Sequence, residues 1–215
     1  IVVSESFSGA DVSIPIHVWR GAQAGPAVCI TGAVHGDEIN GTVTIRQLAG
    51  ESPFELIAGT LVLVPVVNIF GFERHSRYLP DRRDVNRCFP GSREGSLASR
   101  FAYAFFEQVI KHCDYGIDLH TASVRRTNFP NVRADLTDQR LSGFARAFGA
   151  EVIVNSTGPK GSLRTAAVES GCAMLVLEAG EVWKVEPSVV EYCIRGIQNC
   201  LRFLEMVEGL SLIHI

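Results

Sequence analysis

The chain has 215 residues, 47% of them hydrophobic and 20% charged, with a formal net charge of −3. That composition suits one well-buried core with helices layered on a sheet, and the weak charge gives no reason to expect a nucleic-acid or acidic-membrane partner. No apolar run approaches the ~18 residues of a membrane span, and the start of the chain lacks the basic-then-apolar pattern of a signal peptide.

Residues 12–19, V-S-I-P-I-H-V-W, alternate with period two and predict a half-exposed strand. A turn is expected at 21–26, then a short buried strand at 27–31. Residues 38–48 read as a helix, with Ile39, Val43, Ile45 and Leu48 at mostly helical spacing. The run L-V-L-V-P-V-V at 61–67 reads as a buried strand, although Pro65 costs one ladder hydrogen bond. A long Gly-, Arg-, Asp- and Pro-rich loop follows at 68–95, and a loop of that length is usually functional or disordered.

Residues 96–111 predict a helix with Leu97, Phe101, Ala104, Phe105 and Val109 on one face. A strand at 115–119 ends at His120, and a second loop covers 121–135. A helix at 141–148, a short strand at 152–154 and a helix at 163–170 stopped by Gly171 come next. A strand at 173–177 ends at Glu178, and 187–207 is the last helix. Alternating strands and helices argue an α/β fold in three αβα layers on a mixed, largely parallel sheet.

The six cysteines, Cys29, Cys88, Cys113, Cys172, Cys193 and Cys200, form no C-x-x-C pair and sit mostly in apolar segments. Reduced thiols in a cytoplasmic protein are expected, not a disulfide framework. The segment Leu210-Ser-Leu-Ile-His-Ile215 reads either as a short strand or as foreign sequence, since it resembles a translated sequencing adapter. The expected division is a unit at 1–209 followed by a non-native or truncated tail at 210–215.

Three apolar strands end in polar groups. The first leads into GAVHGDEIN at 32–40, which holds His35, Asp37 and Glu38; the second ends at His120, the third at Glu178. Ligands of open α/β sheets bind beyond the carboxyl ends of strands. Two histidines and one glutamate are the ligand set of a catalytic zinc site with an open fourth position, so His35, Glu38 and His120 are candidate ligands of one Zn²⁺. Spacing leaves Asp118 either behind His120 or pointing into the sheet. Glu178 is then free to act as a general base.

The loop at 77–90 adds Arg77, Arg82, Arg83 and Arg87 around Asp81, Asp84 and Asn86. Arginine grips carboxylates with a planar fork. Arg87 and Asn86 are therefore candidates for a substrate carboxylate, and Arg77 for an oxyanion on the attacked carbonyl. A solvated loop with mutually paired charges is the plainer alternative.

The sequences HGDE at 35–38, DVNR at 84–87, DLH at 118–120 and EAG at 178–180 occur in an order that resembles the succinylglutamate desuccinylase/aspartoacylase family, relatives of the zinc carboxypeptidases. The resemblance implies a zinc-carboxypeptidase-like, phosphorylase/hydrolase-like fold. It implies zinc on His35, Glu38 and His120, with Glu178 as base and Arg77 polarising the scissile carbonyl. Asn86 and Arg87 would then hold the substrate carboxylate, and Arg164 is a further candidate substrate contact. It also implies a smaller C-terminal β domain, and this chain stops before it, so a fragment is expected. The expected activity is zinc-dependent removal of an acyl group from a small, carboxylate-bearing N-acyl amino acid, with a homo-oligomer compatible. A zinc carboxypeptidase acting on peptides and a non-catalytic zinc module or inactive fragment are the alternatives.

Overall fold

The chain opens with β1 (Val2–Glu5) antiparallel to β2 (Asp11–Ser13). The alternating run at 12–19 is therefore not one strand. Pro15 has no N–H to give to a ladder, and the chain restarts as β3 (His17–Arg20) in a different sheet. This computed structural model describes residues 1–5 and 9–209, so the tail expected at 210–215 lies outside the described residues.

The next strands are β4 (Gln23–Gly32), β5 (Ala58–Val64), β6 (Tyr115–His120), β7 (Asn128–Ala134), β8 (Ile153–Asn155) and β9 (Ala173–Gly180). Among the described residues, β3 to β9 form one seven-stranded sheet in the order β3-β5-β4-β6-β9-β7-β8. The centre β5-β4-β6-β9 is parallel, while β3 and β7 run antiparallel to their inner neighbours. The sheet is mixed and largely parallel, as expected.

Several boundaries differ from expectation for physical reasons. The turn expected at 21–26 is mostly strand, because β4 begins at Gln23, opposite Ala58. β5 starts earlier than expected and stops at Val64, where Pro65 removes a donor. The loop expected at 121–135 contains β7. Glu178 lies inside β9, not after it.

The helices are α1 (Asn40–Glu51), α2 (Ile69–Glu73), α3 (Leu97–Gln108), α4 (Gln139–Ala147), α5 (Leu163–Glu169) and α6 (Pro187–Phe203). They cover both faces of the sheet. The alternation of strand residues sends Val28, Ile30, Leu61, Leu63, Leu175 and Leu177 against α1, α4 and α6. Cys29, Val64 and Met174 face the opposite way, against α3 and α5. The result is the αβα architecture.

The core is tight where aromatic rings meet. Phe144 of α4 is fully buried and its ring centroid lies 4.9 Å from that of Tyr115. Phe144→Ala is expected to cost about 3–5 kcal/mol, read as a lower urea midpoint with unchanged slope. A loss below ~1 kcal/mol would contradict this packing. Among the described residues no helix is long and apolar enough to cross a membrane, and all six cysteines are free, five of them buried.

Candidate active site

The sheet order reverses between β4 and β6: the chain moves from β4 outward to β5, then crosses back to β6. Such a switch point opens a crevice beyond the carboxyl ends of the strands, and the polar groups named from the sequence converge there. His35 and Glu38 stand in the turn that leaves β4, closed by a bond from Glu38 N to His35 O of 3.1 Å. His120 is the last residue of β6. Glu178 of β9 is its register partner across the β6–β9 ladder. The turn needs glycine at position 36, because a Cβ there would run into the backbone of Gly71 and Phe72 in α2.

The three candidate ligands meet at one carboxylate. His35 Nδ1 lies 2.8 Å from Glu38 Oε1, and His120 Nδ1 lies 2.8 Å from Glu38 Oε2. Thr121 N donates to Glu38 Oε2 at 3.0 Å. All three residues are buried, and one ligand atom from each lies within 4.8 Å of the others. The far nitrogen of each imidazole rests on an aspartate: His35 Nε2 on Asp84 Oδ1 at 3.2 Å, and His120 Nε2 on Asp118 Oδ2 at 2.7 Å. Asp118 in turn accepts from Thr31 Oγ1 at 2.7 Å. Spacing had left Asp118 open; the structure puts it behind His120.

This donor set fits a divalent cation. Two imidazoles each present one nitrogen inward and brace the other on a carboxylate, an arrangement that fixes ring orientation at metal sites. Burial alone would lower the pKa values of both histidines, but the Glu38 charge raises that of His35, and Asp118 and Glu38 raise that of His120. Burial would raise the pKa of Glu38, but His120 and His35 hold it well below the usual carboxylate range. A cation would replace the protons these carboxylates draw onto the rings. Asp37 from the same turn does not join the set; burial raises its pKa, and among the described residues its Oδ1 has no hydrogen-bond partner.

Around these groups lies a cleft of about 350 Å³ that also takes in Arg77, Asn86, Arg87, Arg164 and Glu178. All eight residues named from the sequence therefore share one site. Arg77 bonds Asp84 Oδ2 at 2.9 Å through Nη2 and reaches Glu38 Oε1 at 3.3 Å through Nη1, which sets its guanidinium beside the ligand cluster. Asn86 accepts from Leu163 N at 2.8 Å, so its Oδ1 is engaged at the start of α5 and its amide nitrogen is left as the donor end. Arg87 Nη1 rests on Asn86 O at 2.6 Å. Arg164 is 5% exposed and uses Nη2 on Ser156 Oγ at 3.2 Å, while among the described residues its Nη1 has no partner. Burial lowers its pKa. A buried guanidinium with a free donor in a cleft is suited to an anion.

Burial raises the pKa of Glu178, against the opposing pull of His120 and Arg133. Asn128 Nδ2 donates to Glu178 Oε2 at 2.7 Å, and Arg133 Nη1 pairs with Oε1 at 3.3 Å. The sequence reading missed Asp84 as the partner of His35, and Asn128 and Arg133 as partners of Glu178. Only the fold brings them there.

The fold and the cleft define a three-layer αβα protein with a His–Glu–His metal-type site beside a buried glutamate and a group of arginines. Residues 24–204 match the family model described as the succinylglutamate desuccinylase/aspartoacylase catalytic domain. The chain is 30% identical to the N-alpha-acetyl-L-2,4-diaminobutyric acid deacetylase of Halomonas elongata, over 95% of this chain and 62% of that protein. It superposes on the succinylglutamate desuccinylase/aspartoacylase of Rhodobacter sphaeroides with a TM-score of 0.85 at 31% identity, covering 98% of this chain and 65% of that one. The product-bound ectoine utilization protein EutE (DoeB) of Ruegeria pomeroyi gives a TM-score of 0.87 at 27% identity, covering 98% and 67%. This chain belongs to the succinylglutamate desuccinylase/aspartoacylase family. It spans slightly under two thirds of the length of its Halomonas and Rhodobacter relatives.

Proposed function

We infer that this chain is the catalytic part of a zinc-dependent hydrolase that removes the acyl group from a small, carboxylate-bearing N-acyl amino acid, with residues 1–209 as the catalytic unit. One observation carries the reading: Glu178 stands in register beside His120, so a carboxylate not required as a ligand adjoins the donor set. A site that only stored a metal would have no use for it. The Halomonas relative, named for an N-acetyl amino acid, supports the class of substrate. The free, mostly buried thiols support a cytoplasmic setting.

His35, Glu38 and His120 would hold the zinc, which supplies Lewis-acid activation of water and of the acyl carbonyl. Arg87 and the Asn86 amide grip the carboxylate of the substrate, with Arg164 as a further donor deeper in the cleft. Glu178 takes a proton from the attacking water as the new C–O bond forms. The Arg77 guanidinium stabilises the negative charge that develops on the carbonyl oxygen. When the C–N bond breaks, Glu178 returns the proton to the leaving nitrogen. The products are a carboxylate and a free amino acid.

The test is amine release from a panel of N-acetyl and N-succinyl amino acids set beside a panel of peptides, with zinc content measured on the same sample. Turnover of the acyl amino acids and not of the peptides is expected. Peptide cleavage alone would assign a carboxypeptidase, and full zinc content without turnover of either panel would contradict the hydrolytic reading. A second prediction concerns Asp118, which braces His120. Asp118→Asn keeps the shape but loses the charge, and metal affinity is expected to fall about 10–100-fold in competition with a chromogenic chelator. Unchanged affinity would mean that the carboxylate does not tune the ligand.

A further inference from the structure

Sequence patterning gave no sign of β7, yet this strand brings two side chains to Glu178. From β9, Val176, Glu178 and Gly180 alternate onto one face of the sheet. Their partners on β7 are Arg133, Asn131 and Asn128. In an unbroken strand, Asn128 and Arg133 would face opposite ways, because they are five positions apart. The register shifts between Asn128 and Asn131, so one extra residue is accommodated there. Such a bulge re-aims the side chains that follow it. Both residues consequently reach the same carboxylate: Asn128 Nδ2 donates to Oε2 at 2.7 Å, and Arg133 Nη1 pairs with Oε1 at 3.3 Å.

The clamp is itself braced. Arg133 Nε donates to Asn131 Oδ1 at 3.3 Å, and Asn131 Nδ2 donates to Phe129 O at 2.8 Å within the bulge. Arg133 thus spends one donor on the strand and one on Glu178. Arg164, which uses Nη2 on Ser156 and keeps Nη1 free, is arranged differently.

We propose that Asn128 and Arg133 are positioning residues for Glu178: the bulge in β7 presents them as a two-point clamp that fixes the plane of its carboxylate. The proposal rests on the reading of Glu178 as the general base. A base that carries a proton from water to a leaving nitrogen has to meet two different atoms within hydrogen-bond reach. A carboxylate free to rotate would reach either only part of the time, and a misplacement of about 1 Å costs on the order of 100-fold.

The experiment compares metal-loaded wild type, Asn128→Ala, Arg133→Ala and the double variant, each also in a Glu178→Gln background. The clamp predicts that kcat falls about 10- to 100-fold in each single variant, with KM and metal content unchanged and partial recovery of Arg133→Ala by added guanidinium. In the Glu178→Gln background the same substitutions cause no further loss, because residues that act through one group are not additive. If Arg133 instead holds substrate, KM rises in both backgrounds and the proposal falls. Crystal structures of the wild type and the double variant give a readout without turnover. A Glu178 carboxylate bonded at both oxygens in the wild type and displaced in the double variant supports the clamp; an unmoved carboxylate overturns it. A wild type that hydrolyses none of the acyl amino acids defeats the functional reading, and the crystals then judge the clamp on its own.

Discussion

Glu178→Gln is expected to keep its metal and its fold while losing most of its turnover. The substitution removes the proposed proton acceptor and leaves His35, Glu38 and His120 untouched. General acid–base catalysis contributes about 10²–10⁴-fold, and in the proposed mechanism the same carboxylate serves water and the leaving nitrogen, so kcat should fall by that factor or more. A drop of that size is about 3–5 kcal/mol at ~1.4 kcal/mol per decade. The cost in stability is smaller. The amide oxygen of Gln can still accept from one of Asn128 and Arg133, and the other partner faces an amide group, a mismatch worth about 1–3 kcal/mol. Elemental mass spectrometry of the purified variant reads the metal, and amine release reads the rate. Near wild-type kcat with full metal would remove Glu178 from the mechanism. Loss of metal would instead place it in the ligand set.

The parts of this site that could be read in the sequence are those tied to parallel strands. β4, β6 and β9 are apolar runs that stop at a polar group, and parallel strands deliver their carboxyl ends to one edge. His35, His120 and Glu178 were visible for that reason, and Glu38 because a three-residue step in a turn can bring two donor groups together. The partners that brace them were not visible. Asp84 meets His35 across 49 positions, a contact that no local spacing encodes. Asp118 sat two residues from His120, yet only the side-chain contact showed that it leans on the ring. β7 was hidden for a different reason. Its sequence, N-F-P-N-V-R-A, contains a proline and a bulge, so the period of two is broken where it would be read. The longer helices suffered less, because helix faces such as Phe101 and Phe105 of α3 repeat over several turns. Boundaries moved wherever proline or a partner strand, not the local pattern, decided them, as at Pro15 and Pro65.

Chelating the metal is expected to change both the height and the pH dependence of stability. In the metal-free protein the His35 and His120 pKa values are raised. Their contribution is fully present below the unfolded value of ~6.5 and is lost as pH rises through the folded values. Glu38 lies well below its ordinary value, held down by His120 and His35, and Asp84 lies well below its own, held down by His35 and Arg77. Their contribution is present above the unfolded values of ~4 and is lost as pH falls. Metal-free protein should therefore be most stable between about pH 4.5 and 6.5 and weaken on either side. Metal reverses the alkaline side. It needs neutral imidazoles, so its binding tightens as pH rises. With free metal at ~1,000 times Kd, binding adds about 4 kcal/mol, roughly 8–16 °C in Tm for a chain of this size. The gap between loaded and chelated protein should open steadily from about pH 6 to 8. His35→Ala/His120→Ala removes the gap altogether. It also strips the buried Glu38 carboxylate of its two imidazoles and leaves it Arg77 and Thr121 N, so at about pH 5–6 the double variant should melt below chelated wild type, by less than the ~3–5 kcal/mol of a fully unpaired buried charge. Thermal melts with and without chelator across this pH range decide the matter. Coincident curves for loaded and chelated wild type at every pH would mean that the His–Glu–His cluster holds only itself together.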